Sequence, residues 1–375
     1  MSEAVRQIRT ALIGCGKVGT THALAWQRLP HSKFVAVCDV SSERAERFAE
    51  RFGVHAYTDA SSMFEKERIE AVSIATPHPL HVAAIEAAAA AGVHALCEKP
   101  LSSDLTACDR ALEAARNAGV SIGVVSQRRF YECVQRVKSA IDGGRIGKPV
   151  LATVTLLGWR DAAYYRSDPW RGTWAGEGGG VMVSQAVHHL DLLLHLMGPV
   201  TELFGYHDNF NHPSIEVEDT AAALIRFRNN AIGCLVLSNS QRPGLYGRIH
   251  VHGSSGASVG VQVESGSAFI SGVTEKAEPP VNDLWTVPGE EGLLETWQEE
   301  DRQRGVDVMN YYHQRQFEDF LASILEARPP SITGDDGRAA VELFTAVYLS
   351  QRHGRPMRFP LDRSLYSEVL HAAGN

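Results

Sequence analysis

The stretch that decides the fold of this chain is IRTALIGCGKVGTTHALAWQRL, residues 8–29. An apolar run with the character of a strand leads into Gly14-x-Gly16-x-x-Gly19, and a helical pattern follows. In this setting the first glycine permits a tight turn, the second lets a pyrophosphate approach the main chain, and the third lets strand and helix pack closely. The stretch therefore predicts a dinucleotide-binding turn, with cofactor contacts from Gly14, Gly16, Lys17, Val18 and Gly19.

A second strand-like run, FVAVCD, ends in Asp39, 20 residues after Gly19. An acid at that place holds the ribose 2′-hydroxyl of NAD and repels the 2′-phosphate of NADP. The alternative is an aspartate that only caps the following helix. Arg44 is near enough in sequence to leave NADP open. The predicted cofactor is therefore NAD, with NADP not excluded.

Strands and helices continue to alternate as far as residue 127, and this alternation predicts a parallel, doubly wound sheet covered on both faces. We assign residues 1–127 to a Rossmann NAD(P)-binding domain. The helical patterns cover 42–52, 79–91 and 104–118, and the strand-like runs are AVSIAT, HALCEKP and SIGVVSQ.

Polar residues follow two of these strands at the edge where such sheets bind ligands. Thr76, Pro77 and His81 come after one strand, and Glu98 and Lys99 after the next. A lysine beside the nicotinamide can hydrogen-bond a substrate hydroxyl and stabilise the alkoxide that develops as hydride leaves. The alternative is a surface lysine paired with Glu98.

From about residue 128 the pattern changes to several β-rich runs joined by turns, such as VLATVTLLGW, TAAALIRF and AIGCLVLSNS. Such runs predict an α+β domain over 128–375 with a large, mostly antiparallel sheet, for substrate binding and oligomerisation. The acidic segment 274–310 is interpreted as a solvated loop.

A glycine run introduces a predicted helix from about residue 181 to 197. Ser184, His188, Asp191 and His195 fall on one face of it, at spacings of four, three and four. His188 suits a general base, and Asp191 can orient it. The alternative is a buried histidine satisfied by the backbone. One helix rarely supplies a whole metal site, so no metal is predicted.

The segment before this helix, residues 159–174, is rich in aromatic and basic side chains, which suit either a sugar pocket or a subunit interface. An anionic sugar is possible if Arg160, Arg166 and Arg171 converge on the site. Besides Lys99 and His188, the predicted substrate contacts are Arg128, Tyr165, Trp170, Arg171, Ser184 and Gln185.

Composition excludes other classes of function. The formal net charge is −8, which gives no electrostatic footprint for nucleic acid or an anionic membrane. The first residues lack the pattern of a signal peptide, and no long apolar run occurs, so a cytoplasmic location is expected. The six cysteines contain no C-x-x-C pair.

Taken together, GCGKVG, IATPHPLH, EKP, QRRF and GGGVMVSQAVHHLDLLLHLMG resemble the glucose-fructose oxidoreductase, inositol dehydrogenase and rhizopine-catabolism family over nearly the whole chain. The resemblance implies homodimers or homotetramers, sugar or cyclitol substrates, and action of Lys99 and His188 on the substrate hydroxyl. Asp191 matches an acid of the family. Ser184 departs from it, because well-studied members have aspartate there, so either Asp191 replaces that acid or the proton transfer differs.

The predicted function is NAD(P)-dependent oxidation of a secondary ring hydroxyl of a sugar, cyclitol or sugar derivative. One alternative is a glycosidase that oxidises its sugar transiently with bound NAD and then eliminates the aglycone. Another is a non-catalytic sugar- and NAD-sensing regulator, which the presence of both Lys99 and His188 disfavours.

Overall fold

The computed structural model describes residues 6–242, 244–245, 247–264 and 279–369. These residues form two compact units. The first unit consists of the described residues up to Gln127 together with Asp307–Arg338, and the second of those from Arg128 to Val306 and from Ala339 onward.

The strands are, in chain order, β1 (Ile8–Ile13), β2 (Ser32–Cys38), β3 (His55–Tyr57), β4 (Ala71–Ile74), β5 (His94–Cys97), β6 (Ile122–Val124), β7 (Pro149–Leu157), β8 (Val200–Asp208), β9 (Thr220–Phe227), β10 (Ile232–Ser238), β11 (Gly247–Gly253), β12 (Ser258–Glu264), β13 (Val281–Trp285) and β14 (Met357–Arg358). The α-helices are α1 (Lys17–Arg28), α2 (Ser42–Phe52), α3 (Ala60–Glu67), α4 (His81–Ala90), α5 (Leu105–Ala118), α6 (Glu132–Asp142), α7 (Ala162–Arg166), α8 (Val181–Ser184), α9 (Val187–Met197), α10 (Leu293–Gln303), α11 (Val308–Leu325) and α12 (Gly334–His353). Short 3₁₀ helices cover His78–Leu80, Gln127–Phe130 and Arg363–Glu368.

The first unit is built on a six-stranded sheet in the order β3-β2-β1-β4-β5-β6. All its strand pairs are parallel. The chain runs outward from β1 in one direction and then returns to build from β4 in the other, so the carboxyl ends of β1 and β4 form a topological switch point, where ligands bind in such sheets. The predicted doubly wound Rossmann sheet is confirmed, although the sequence analysis did not identify β3 or α3.

The segment Asp307–Arg338 belongs to the first unit, whereas the sequence analysis placed all of 128–375 in the second domain. The reason is hydrophobic burial. Phe317 and Phe320 of α11 are at most 1% exposed and pack in one cluster with Trp26 of α1. The ring centroids of Trp26 and Phe317 are 4.5 Å apart. Burial of each such side chain contributes about 1.5–3 kcal/mol, which fixes α11 against α1.

The second unit is built on an eight-stranded sheet in the order β13-β12-β11-β7-β10-β9-β8-β14. Its strand pairs are antiparallel except β7 with β10. Burial alternates along β9, so one face of that strand is covered and the other is open. α9 packs against β7 and β11. The predicted α+β fold with a large, mostly antiparallel sheet is confirmed.

The predicted single helix over 181–197 is wrong, because the chain forms two helices, α8 and α9. The Ala186 N–H donates to the Val181 carbonyl five residues earlier, at 2.8 Å, which widens the turn. The Ser184 hydroxyl donates to the Gly180 carbonyl at 2.8 Å. A hydroxyl that bonds back to a helical carbonyl competes with the regular backbone pattern.

The predicted solvated loop over 274–310 is also wrong, except that 274–278 lie outside the described residues. This segment contains β13 and α10. Asp301 of α10 is 4% exposed and accepts two hydrogen bonds from Arg136 of α6, at 2.6 and 3.2 Å. Acidic composition misled the prediction because this carboxylate is buried as an ion pair.

Within the described ranges, no helix combines the length and the apolar character that crossing a bilayer requires. All six cysteines are free thiols, and five of them are buried.

Candidate functional site

The turn between β1 and α1 has the shape of a phosphate-binding cradle. Gly14 has a φ of 101°, and a Cβ there would lie 2.6 Å from a backbone carbonyl that follows β4. A Cβ on Gly19 would lie 2.2 Å from the Gly14 carbonyl oxygen, whereas one on Gly16 would meet no atom within 4 Å. Lys17 and Val18 open the first turn of α1. The space at Gly16 and the N–H groups of that first turn fit a pyrophosphate.

Asp39 lies directly after β2 and is held by three neighbours. Its carboxylate accepts hydrogen bonds from the main-chain N–H groups of Cys15 and Ser41, both at 2.9 Å, and from the Arg44 guanidinium at 2.7 Å. Burial would raise the pKa of Asp39, but hydrogen bonds from Arg44, Ser41 and Cys15 outweigh burial and lower it. Ser41 provides the side-chain cap of α2. Asp39 is therefore an ionised carboxylate at the strand end.

The strand ends of β4 and β5 lie side by side at the same sheet edge. Thr76 and Pro77 follow β4, and Glu98 and Lys99 follow β5. His81, the first residue of α4, is 3.0 Å from the Thr76 carbonyl oxygen and 2.8 Å from a carbonyl oxygen just beyond Lys99. The structure therefore brings together the polar residues that the sequence analysis placed after these two strands.

Two histidines beside Glu98 were missed by the sequence analysis. His22 on α1 lies 3.0 Å from a Glu98 carboxylate oxygen, and His313 on α11 lies 3.6 Å from the same oxygen. His22 could have been predicted to need a partner, because it lies beside the apolar residues of the predicted helix and a buried polar group needs a hydrogen bond. Nothing local in the sequence connects residue 313 to residue 98.

In the second unit, His188 and Asp191 lie on α9 and are 8% and 5% exposed. The Arg129 guanidinium donates to both Asp191 carboxylate oxygens, at 2.9 and 2.6 Å. Arg129 was missed as a partner, although it belongs to the QRRF motif. The predicted role of Asp191 in orienting His188 stays a prediction.

Ser184 and Gln185 belong to a hydrogen-bond network that also includes the charged guanidinium group of Arg171. The Tyr164 hydroxyl accepts from Arg171 at 2.6 Å and from the Gln185 amide at 2.7 Å. The Gln185 carbonyl oxygen accepts from Asn239 and from the Ser184 hydroxyl, both at 2.7 Å. At the position where the resemblance implies aspartate, this chain therefore has a hydroxyl that helps to hold Gln185 against Tyr164.

The three arginines named for an anionic sugar do not converge as a group, and Arg171 is already paired with the Asp168 carboxylate at 3.0 Å. The Arg160 and Arg171 guanidinium groups lie 5.5 and 4.4 Å from the centroid of the Tyr164 ring, and Arg171 also lies 4.5 Å from the Trp170 ring. Arg166 is exposed. The remaining predicted substrate contacts, each 8% exposed, are Arg128 and Tyr165.

Comparison with known proteins covers both units. Residues 8–126 match the family model described as an oxidoreductase family with an NAD-binding Rossmann fold, and residues 134–259 match the GFO/IDH/MocA C-terminal domain. Myo-inositol 2-dehydrogenase of Thermotoga maritima is 27% identical over 94% of this chain and 98% of its own length. The oxidoreductase YrbE of Bacillus subtilis is 31% identical over 67% of this chain and 73% of its own.

Among solved structures, the WlbA dehydrogenase from Bordetella pertussis, in complex with NADH and UDP-GlcNAcA, superposes with a TM-score of 0.79. It is 28% identical and covers 95% of this chain and 100% of its own.

Proposed function

Since the chain belongs to the GFO/IDH/MocA family of oxidoreductases, we propose that it oxidises a secondary ring hydroxyl of a sugar, a cyclitol or one of their derivatives, with NAD as the hydride acceptor. The relatives support this substrate range, because one is named for a cyclitol and another was solved with a nucleotide sugar.

NAD is the cofactor of the Rossmann domain in this family, and the residues present fit it. The Gly14–Gly19 turn would hold the pyrophosphate, and the Asp39 carboxylate would accept hydrogen bonds from the ribose hydroxyls. The Arg44 side chain is 46% exposed, so it can move aside from Asp39 at little cost. We expect Asp39→Ala to weaken NAD binding and to narrow the preference for NAD over NADP, as measured by titration with each dinucleotide.

Bound NAD supplies the hydride acceptor. We assign Lys99 to the substrate hydroxyl oxygen, where its ammonium stabilises negative charge as the O–H and C–H bonds break and a carbonyl forms. His188 takes the hydroxyl proton. Asp191 lies on the same helix as His188, and two hydrogen bonds from Arg129 hold its carboxylate in place. We propose that this fixed carboxylate orients the His188 ring.

The single observation that carries this proposal is the position of Lys99. It follows β5 at the carboxyl edge of the sheet, the same edge at which the glycine turn after β1 forms the dinucleotide cradle. A lysine at that edge is placed for the nicotinamide end of a bound dinucleotide.

The test is the rate of NADH formation, followed by absorbance, across free sugars, cyclitols, uronates and their glycosides. We expect Lys99→Ala to lower kcat by about 10²–10³ on any substrate found. Lys66→Ala is the matched control, because Lys66 is exposed on α3, and it should leave the rate unchanged. Turnover retained by Lys99→Ala would contradict the proposal, as would cleavage of a glycoside without net NADH.

We also propose that the open face of the large sheet pairs with a second copy of the chain. Leu224 and Tyr206 are 65% and 62% exposed, and Val236 is 39% exposed. Ala222, two residues from Leu224 on β9, is paired with both Tyr206 and Val236, so these side chains share one face. An apolar face of this kind is typical of a subunit interface.

Leu224→Lys should therefore lower the mass measured by light scattering after size exclusion. Leu293→Lys, at an exposed position on α10, is the control and should not. A monomeric wild-type protein would refute the pairing.

A further inference from the structure

Glu98 joins two buried imidazoles to the main chain of Lys99. One carboxylate oxygen lies 3.0 Å from His22 Nε2 and 3.6 Å from His313 Nε2. The other oxygen accepts the main-chain N–H of Lys99 at 3.2 Å. The side chains of His22, His313 and Glu98 are 0%, 2% and 12% exposed. All four residues belong to the first unit.

The hydrogen-bond partners define the role of each ring. His313 Nδ1 lies 2.6 Å from the Met309 carbonyl oxygen, which only accepts, so Nδ1 carries a proton and the ring is fixed with Nε2 towards Glu98. A hydrogen bond from Nε2 to the carboxylate then needs a second proton, so the ring that holds Glu98 is an imidazolium. Burial lowers the pKa of His22, against the influence of Glu98, so this ring is neutral and has one N–H. That proton lies on Nε2, because a lone pair there would face the carboxylate oxygen.

The carboxylate is held in its charged form. Burial would raise the pKa of Glu98, but the hydrogen bonds from His22 and His313 outweigh burial and hold it well below its usual range. A buried carboxylate without such partners is strongly destabilising. Removal of either histidine therefore leaves Glu98 short of a partner and free to reorient.

The segment after Lys99 is also held. The Pro100 carbonyl oxygen is 2.8 Å from His81 Nδ1, and the Thr76 carbonyl oxygen is 3.0 Å from His81 Nε2. Burial lowers the pKa of His81, so the ring is neutral and donates to one of these carbonyls. The main chain is therefore held on both sides of the Lys99 side chain: Glu98 binds the N–H of Lys99, and His81 contacts the carbonyl of Pro100.

We propose that His22 and His313 are positioning residues that hold the Glu98 carboxylate on the Lys99 N–H and so fix the main chain from which the lysine side chain extends. A lysine side chain has four rotatable bonds, so the place of its ammonium depends on the direction of that main chain. A displacement of about 1 Å of a catalytic group can lower a rate about 100-fold. This inference rests on the proposed role of Lys99.

The test replaces His22 by two side chains of equal length. Glutamine reaches as far as Nε2 and has an N–H to donate to Glu98, whereas methionine has no donor. We expect His22→Met to lower kcat about 100-fold with KM for the sugar and Kd for NADH within about twofold of wild type, and His22→Gln to retain most of kcat.

A second readout needs neither cofactor nor substrate. Hydrogen exchange of the Lys99 amide, measured by mass spectrometry on the apoprotein, should be faster in His22→Met than in wild type or His22→Gln. His94→Met is the control: His94 begins β5 at the opposite edge of the sheet, where it accepts the Ser121 N–H, and its loss should change neither kcat nor exchange at Lys99.

Equal kcat, or equal exchange at Lys99, in the glutamine and methionine variants would overturn the proposal. So would one equivalent of zinc in the purified wild-type protein, because two histidines and a glutamate whose ligand atoms lie within 4.8 Å of one another also suit that ion. If Lys99→Ala kept full turnover, the proposed function would fail, and the exchange measurement would still test the link from His22 to Lys99.

Discussion

Replacement of one partner of the ion pair between Arg129 and Asp191 should be among the most destabilising single substitutions in the second unit. Both side chains are nearly buried, at 9% and 7% exposed, and two hydrogen bonds of 2.9 and 2.6 Å join them. Removal of one partner from a buried pair leaves a charge without compensation, which costs about 3–5 kcal/mol. We therefore expect Arg129→Met and Asp191→Leu each to lower the free energy of unfolding by that amount.

The double variant separates the interaction energy between the two charges from the cost of leaving either charge buried alone. With both charges removed, neither residue leaves its partner as a buried charge without its counter-ion, so we expect a loss at least about 2 kcal/mol smaller than the sum of the two single losses. Arg358→Met is the control for an exposed pair: Arg358 is 89% exposed and 4.0 Å from Glu202, and its loss should change stability by less than about 1 kcal/mol.

Urea unfolding followed by tryptophan fluorescence is the suitable assay, because five of the six tryptophans lie in the second unit: Trp159, Trp170, Trp174, Trp285 and Trp297. A loss below about 1 kcal/mol for Arg129→Met, or additive losses in the double variant, would refute the reasoning, because it would mean that water reaches the pair.

Three further predictions concern other parts of the chain. Gly19→Ala should abolish NADH binding in a fluorescence titration, because its Cβ would lie 2.2 Å from the Gly14 carbonyl oxygen; normal binding would show that the turn can widen. Phe317→Ala should lower the free energy of unfolding of the first unit by about 3–5 kcal/mol, followed by circular dichroism, and a loss below about 1 kcal/mol would contradict the packing of α11 on Trp26. Burial raises the pKa of Glu218 to about 7, against hydrogen bonds from Met182, Gly180 and Tyr348. The native state therefore keeps a proton that the unfolded chain releases near pH 4.3, and the stability that Glu218 contributes falls by about 3 kcal/mol as pH rises from 4.3 to 7. The glutamine in Glu218→Gln does not titrate. The free energy of unfolding of wild type should therefore fall relative to that of the variant as the pH rises from 4.3 to 7. If the two free energies keep a constant difference over this range, the shift in the pKa of Glu218 is contradicted.

The sequence by itself determined five of the six strands of the first unit's sheet, all but β3, and its cofactor edge. The glycine turn, the acid after β2 and the polar residues after β4 and β5 are each encoded within a few neighbouring residues, because turn geometry and strand periodicity are local properties. The run TAAALIRF was likewise predicted to be a strand, and it forms β9.

Only the tertiary structure decided which distant segments complete these local features. α11 returns to the first unit because Phe317 and Phe320 bury their rings there, and the same return brings His313 to Glu98. Asp301 lies in an acidic stretch that composition assigns to solvent, yet it pairs with Arg136 below the surface. Hydrophobic burial and ion pairing depend on which surfaces meet after collapse, and residues more than 150 positions apart carry no local record of that choice.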